Sequence, residues 1–419
     1  MQLLLFGRLV TPLLNGDALD VAPGWLAADG SGHILGAGGG SPPRALRGFD
    51  VLDLRRFVAV PGFVDVHLHY PQIDVRGQGP TELLAWLTST IFPAEEACAD
   101  PRLARNRAAR TFRALARNGV TTAAVFGSPH PAATDAAFAE ARRSGLRIFL
   151  GMTMMDRNGP EALLQSRERN LDAARQLCRR WDKDARGRLR YIFSPRFAPA
   201  CTFELLRDTA RAARELDAPI QTHLAESPRE VAWVRELFPG ASSYTDVYRT
   251  AGLLTPATVL AHAVHLSDDE WALLRVSGAA VAHCPTANFA LRSGVFDLSR
   301  AVREDLRFGL GSDVGAGPSF SPFDVMRHAL YLAAIPPSDT LARATLGGAQ
   351  ALGVADRVGS LEVEKDADLV VLDPAAADAN LDAPLESLLS ALIRRSGSAA
   401  VAGVMARGDW VHTTPDLEH

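Results

Sequence analysis

The chain is poor in cysteine and almost empty of lysine. Its four cysteines, Cys98, Cys178, Cys201 and Cys284, are scattered and form no Cys-x-x-Cys pair. That spacing argues against a disulfide framework and fits reduced thiols in a cytoplasmic protein. No run of 18 apolar residues occurs, so no transmembrane helix of ordinary length is expected. The first residues lack the basic and long apolar regions of a secretory leader, and Leu3-Leu4-Leu5-Phe6 reads better as a strand. The net charge of −4 over 419 residues offers no field to attract nucleic acid or an anionic membrane. The glycine-rich stretch from Gly36 to Gly40 is followed by no Gly-Lys-Ser/Thr, so it reads as a loop and not as a phosphate cradle.

What is present is the material of a globular α/β protein. Hydrophobic residues make up 47% and charged residues 22%. The length suits one large barrel with a smaller domain. Up to about Val60 the chain is strand-rich, with Trp25 to Ala28 and Ile34 to Ala37 flanking an Asp29-Gly30 turn. From Pro61 to about Gly353, apolar runs such as Thr121 to Phe126, Arg147 to Gly151 and Tyr191 to Ser194 alternate with helical stretches such as Pro101 to Asn118 and Pro160 to Trp181. Gly119 is placed as a helix stop. Alternation over nearly 300 residues predicts parallel β/α units, eight of them by length. Asp366 to Asp373 returns to strand, and Val401 to Val411 reads as a hairpin. The expected class is therefore α/β: a TIM (β/α)8 barrel over 61–353, with a small β-sandwich domain built from 1–60 and 354–419. The terminal Leu417-Glu418-His419 contributes nothing to this reading.

The chemistry concentrates at the ends of the apolar runs. Phe57 to Val60 reads as strand, Pro61-Gly62 interrupts it, and Phe63-Val64-Asp65-Val66 resumes it before His67-Leu68-His69. Two imidazoles two residues apart on a strand share a face and can reach one ion. Later runs end in His223, in His262 and in Asp313. Singly, each fits a hydrogen-bonded residue at a strand end. Together they are the ligand mix of a metal at the C-terminal mouth of a barrel, zinc ahead of iron or manganese. Catalytic zinc usually takes three protein ligands and a water, so five candidates are too many. His67, His69, His223 and Asp313 are expected to bind directly, with His262 acting on the water or the substrate.

Other residues gather near the same strand ends. Glu226 lies three residues after His223 and admits two readings: a carboxylate returning to the metal to move protons, or a first-turn acid of the helix opening at Ser227-Pro228. Arg196 and Phe197 follow a strand, where a guanidinium and a ring can hold a flat polar ligand. Gln72 offers one donor and one acceptor to the edge of such a ligand. His283 ends another strand, with a supporting role and a packing role equally open. His265 reads as a loop-packing residue, and His33, His328 and His412 carry no chemical context. His130 can face the mouth but is assigned no role.

Pro61 to His69, Thr222-His223-Leu224-Ala225-Glu226, Ala261-His262, Gly311-Ser312-Asp313 and Gly359 to Val370 resemble the metal-dependent amidohydrolases. His69-Tyr70-Pro71-Gln72, Phe92-Pro93-Ala94-Glu95, Met155 to Asn158, Ser194 to Pro199, His283 to Thr286 and Ser312 to Gly317 resemble their guanine-deaminating branch. The resemblance spans nearly the whole chain. It implies a distorted barrel and one Zn2+ per chain held by His67, His69, His223 and Asp313. It further implies a purine substrate bound by Gln72, Arg196 and Phe197, with His69 and His223 beside the ring. Glu226, Asp313 and His262 would carry protons in the hydrolysis of guanine to xanthine and ammonia, and a homodimer is implied as well. Two-metal relatives bridge their ions with a lysine at the fourth strand. Here only Lys183 and Lys365 exist and neither ends a barrel strand, which favours one metal. The His-x-Glu and Pro-Cys-x-x-Cys signature of the other deaminase fold is absent. Two departures stand out: Ala263 where the family usually has glycine, and Arg292 as an extra cation near the expected mouth. The rivals are a deaminase or chlorohydrolase acting on a pterin, an oxidised purine or a triazine, a ring-opening amidase, and a non-catalytic barrel.

Overall fold

A computed structural model describes residues 2–13, 18–79, 82–333 and 335–417. Glu418 and His419 of the terminal tripeptide lie outside the described residues. The strands, in chain order, are β1 (Leu3–Pro12), β2 (Ala18–Ala28), β3 (Ile34–Gly39), β4 (Asp50–Pro61), β5 (Phe63–His69), β6 (Val120–Phe126), β7 (Arg147–Gly151), β8 (Thr153–Met154), β9 (Leu189–Tyr191), β10 (Ser194–Pro195), β11 (Ile220–Leu224), β12 (Thr258–His262), β13 (Ala280–His283), β14 (Phe308–Leu310), β15 (Leu369–Leu372), β16 (Val401–Ala406) and β17 (Asp409–Thr413).

Two compact units result: Met1–Asp65 with Arg113–Thr122 and Ser321–His419, and Val66–Phe112 with Ala123–Phe320. In the first, strands from both termini join in one seven-stranded sheet, ordered β17-β16-β15-β4-β1-β2-β3. Its core is aliphatic, with Leu3, Leu5, Leu9, Leu26, Leu54, Leu369 and Met405 all buried. Of the Gly36 to Gly40 stretch expected as a loop, Gly36 to Gly39 form the last four of the six residues of edge strand β3, paired with β2. The indole of Trp25 covers it: a Cβ on Gly36 would stand 3.1 Å from that ring. Without side chains the run carries no periodic signal, and only its pairing makes it a strand.

The barrel strands lie in two four-stranded runs, β5-β6-β7-β9 and β11-β12-β13-β14. Each parallel pairing within the second is regular. A bridge from Phe193 to Ile220 joins the runs. The Asp313 amide donates to the His67 carbonyl at 2.8 Å and the His69 amide to the Val314 carbonyl at 2.7 Å, which returns the chain from β14 to β5. The interruption at Pro61-Gly62 separates β4 from β5 as expected: a Cβ on Gly62 would come 2.1 Å from Thr121 Oγ1, so only glycine fits. The helix Pro101–Arg117 ends before Gly119, whose φ of +86° glycine adopts without strain. The helix expected from Pro160 begins later, at Arg167, where Ser166 caps the Arg169 amide at 3.3 Å. The purpose of this frame is to bring the ends of β5, β11, β12 and β14 to one place.

Candidate active site

His67 and His69 occupy alternate positions of β5 and share one face, as period-two geometry requires. His223 lies one residue before the end of β11, and His262 ends β12. Asp313 stands three residues past β14. These five side chains converge. His67 Nε2 lies 3.3 Å and His69 Nε2 3.6 Å from Asp313 Oδ1. His69 Nε2 and His223 Nε2 are 3.2 Å apart. His262 Nε2 lies 3.9 Å from Asp313 Oδ2 and 3.5 Å from Glu226 Oε2. Two overlapping ligand sets follow, His67–His69–His223 and His67–His262–Asp313, each with its donor atoms within 4.8 Å of one another.

Hydrogen bonds outside the cluster set the imidazoles' proton positions. His223 Nδ1 lies 2.6 Å from the Arg196 carbonyl, which only accepts, so Nδ1 carries the proton and Nε2 presents its lone pair inward. Asn288 Oδ1 does the same for His262 Nδ1 at 2.9 Å. Burial pushes the pKa of His67, His69 and His223 well below the usual histidine range, each further lowered by neighbouring imidazoles. Neutral imidazoles, those of His223 and His262 with their protons fixed outward, beside one carboxylate form the donor set of a metal site. This chemistry fits a divalent cation.

The cluster strains the backbone. Asp313 has φ +46°, His262 +71°, Ala263 +52° and Ala225 +48°. Non-glycine residues in this region cost about 1 kcal/mol or more each. The left-handed conformation at Ala263 accounts for the glycine usual there.

Glu226 is held apart from the helix that follows. Ser227 caps Pro228–Leu237, and Glu230 closes the capping box with the Glu226 and Ser227 amides at 2.7 and 3.2 Å. The first-turn role thus belongs to Glu230, which leaves the Glu226 carboxylate facing His262. Ser293 Oγ donates to Glu226 Oε1 at 3.0 Å. Burial, and then the charge of Asp313, raise the Glu226 pKa to about 8. Burial also raises Asp313 to about 6.

Opposite the imidazoles, Gln72 Nε2 donates to Glu95 Oε1 at 2.8 Å, and Arg196 Nη1 donates to Glu95 Oε2 at 2.6 Å. Phe197 is buried and packs edge-to-face on Trp233. His69, His223, His262, Asp313, Glu226, Gln72, Arg196 and Phe197 line one cavity together with the apolar Leu83, Trp86, Leu87 and Leu291.

Every residue assigned to the site from sequence is in or against this cavity. His283 is buried on Phe296 and belongs to neither ligand set. His265 bonds the Ser293 carbonyl at 2.6 Å, the loop-packing role expected of it. Arg292 is exposed and not among the described residues lining the cavity; its left-handed backbone (φ +52°) turns the chain between Leu291 and Ser293. No lysine lines the cavity. Sequence reasoning gave no site role to Glu95, Ser293 or Asn288, although Phe92 to Glu95 was among the stretches carrying the resemblance, and it read Ser227 to Glu230 only as a helix start.

Comparison with known proteins places the whole arrangement. Residues 58–411 match the model of the Amidohydrolase family. The guanine deaminase of Escherichia coli (strain K12) is 40% identical over 332 residues, 78% of this chain and 75% of that protein. The crystal structure of guanine deaminase from C. acetobutylicum, with guanine bound in its active site, superposes with a TM-score of 0.92 at 26% identity, covering 98% of this chain and 100% of that one. The zinc-bound structure of an adenosine deaminase from Xanthomonas campestris gives 0.85 at 26% identity, covering 97% and 92%. The chain belongs to the amidohydrolase family.

Proposed function

We propose that the chain hydrolyses guanine to xanthine and ammonia with one zinc ion, held by His67, His69, His223 and Asp313. The observation that carries this reading is the pairing, within one cavity, of that neutral imidazole–carboxylate cluster with the Gln72–Glu95–Arg196 array opposite. The guanine deaminase relatives and the zinc in the Xanthomonas campestris structure support substrate and metal. When bound, zinc supplies a Lewis acid that acidifies water to near neutral pKa.

The chain's own groups supply the rest. Arg196 donates to the lactam oxygen, Gln72 contacts the same edge, and Phe197 packs on the ring, which orients C2 toward the cluster. As water adds to C2, Asp313 and Glu226, faced by His262, accept its proton. Glu226 gives that proton to the ring nitrogen; Asp313 or Glu226 then takes the second proton from the new C2 hydroxyl and passes it to the amine, so that the C2–N bond breaks, C2=O forms and ammonia leaves. A carboxyl pKa of about 8 suits Glu226 to donate as well as accept near neutral pH. Leu83, Trp86, Leu87 and Leu291 keep bulk water from the reacting face. All four cysteines are free and buried, consistent with work in the reducing cytoplasm.

The test is ammonia release from zinc-loaded protein given guanine, a pterin, 8-oxoguanine and an aminotriazine. Guanine should be turned over with the highest kcat/KM. Preference for another heterocycle, or no turnover of guanine, overturns the reading.

A further inference from the structure

Glu95 is the one fully buried carboxylate that joins both polar groups of the ring-binding wall. It does not line the cavity, whereas Gln72 and Arg196 do. It sits on the helix Phe92–Glu96. Its two oxygens are spent on two different partners, one on each.

This bridge fixes polarity. A carboxylate ion-paired with a guanidinium only accepts hydrogen bonds, so the Gln72 side chain must turn its NH2 toward Glu95. Its Oε1 is then left over. That oxygen is buried and receives no hydrogen bond among the described residues. The room it occupies exists because residue 315 is glycine: a Cβ there would come within 2.4 Å of it. Arg196 gives Nη1 to Glu95 and leans on Phe92, with its guanidinium carbon 5.3 Å from the ring centre. Gln72 and Arg196 both line the cavity, so its wall combines an amide whose oxygen is unspent with a guanidinium whose donors are only partly spent on Glu95.

We propose that Glu95 is a positioning residue that makes this site select a lactam edge, N–H beside C=O, over the reversed amidine edge of an aminopurine. The inference rests on the guanine reading above. A guanine N1–H meets the Gln72 oxygen while O6 meets Arg196. In 2,6-diaminopurine, N1 is an acceptor and the 6-amino group a donor, so both meetings are mismatched. Sites built on hydrogen bonds reject such mismatches by factors of about 10^4. Glu95 exerts this choice without touching the substrate. It prevents the Gln72 amide from flipping and holds the guanidinium in one plane.

The experiment compares kcat/KM for guanine and for 2,6-diaminopurine, by ammonia release, in zinc-loaded wild type, Glu95→Gln and Glu95→Asp. Wild type should prefer guanine by at least about 10^3. In Glu95→Gln the amide can donate as well as accept, so Gln72 is free to flip. Guanine should lose about 10^2 in kcat/KM, mostly in KM, while 2,6-diaminopurine loses nothing, so the preference for guanine falls about hundredfold. Zinc content should stay at the wild-type level, which a general loss of structure would not allow. Glu95→Asp keeps an acceptor-only group and should keep most of the preference. Should Glu95→Gln fail to fold, the wild-type ratio and Glu95→Asp decide: a wild-type ratio near one, or a preference lost in Glu95→Asp with zinc intact, overturns the proposal. Guanine turnover with an unchanged ratio in Glu95→Gln overturns the role of Glu95 alone. No guanine turnover by wild type overturns the functional reading together with it.

Discussion

The two walls of the cavity are built in different ways. The metal-side wall is assembled from the ends of four strands, each contributing one or two ligand-type residues. The ring-side wall is a hydrogen-bond bridge, Gln72–Glu95–Arg196, closed by apolar side chains from the short helical segment around Leu83 to Ile91. On the proposed reading, the first wall should fail when one ligand is lost, because few donors hold the ion. The second should degrade by steps, with binding and selectivity lost before chemistry.

Substitutions test that contrast, beginning with the greatest loss. His69→Ala or Asp313→Ala should remove both zinc and ammonia release, a fall of about 10^4 or more, read by metal analysis beside the guanine assay. A metal-free variant with wild-type turnover breaks the account of the first wall. Glu226→Gln should keep zinc and lose about 10^2 to 10^4 in kcat.

The wild-type pH profile sharpens the same point. The Glu226 pKa is raised to about 8, so the proton-bearing form dominates below that value and is lost as pH rises through it. Glu226 must accept the water's proton before it gives one up, so the rate should rise as its carboxylate form fills through that value, and Glu226→Gln should lose that acid limb.

The second wall predicts smaller effects. Gly315→Ala sets a Cβ 2.4 Å from Gln72 Oε1 and should raise KM for guanine about tenfold with zinc unchanged. An unaltered KM would detach Gln72 from the substrate. The smallest expected change is in stability alone. Ala263→Gly relieves a left-handed alanine and should gain at most about 1 kcal/mol in thermal or urea unfolding.

The same contrast decided what could be read from the sequence. Each metal-side residue announces itself locally: His67 and His69 by a two-residue spacing, His223 and His262 by an apolar run ending in an imidazole. Asp313 was legible although it lies beyond its strand, because Gly311-Ser312-Asp313 follows an apolar run. The two readings of Glu226 were separated only by the structure, where Glu230 takes the helix cap. Glu95 lay in a stretch that carried the resemblance, but nothing local to it showed a role. It is one of two adjacent acids, and its partners lie 23 and 101 positions away in the chain. Ser293 meets Glu226 across 67 positions for the same reason. Ile34 to Ala37 was legible as strand, but the end of β3 at Gly38-Gly39 was not, because glycines show no alternation and its pairing with β2 alone defines it. Ligand types at strand ends are local information; bridges between loops are not.

The most direct measurement is a zinc titration of chelator-stripped protein, with ammonia release from guanine as the signal. The account predicts no release without zinc, then a linear rise that stops at one equivalent per chain. Full release before any zinc is added, or a break at two equivalents, would contradict it.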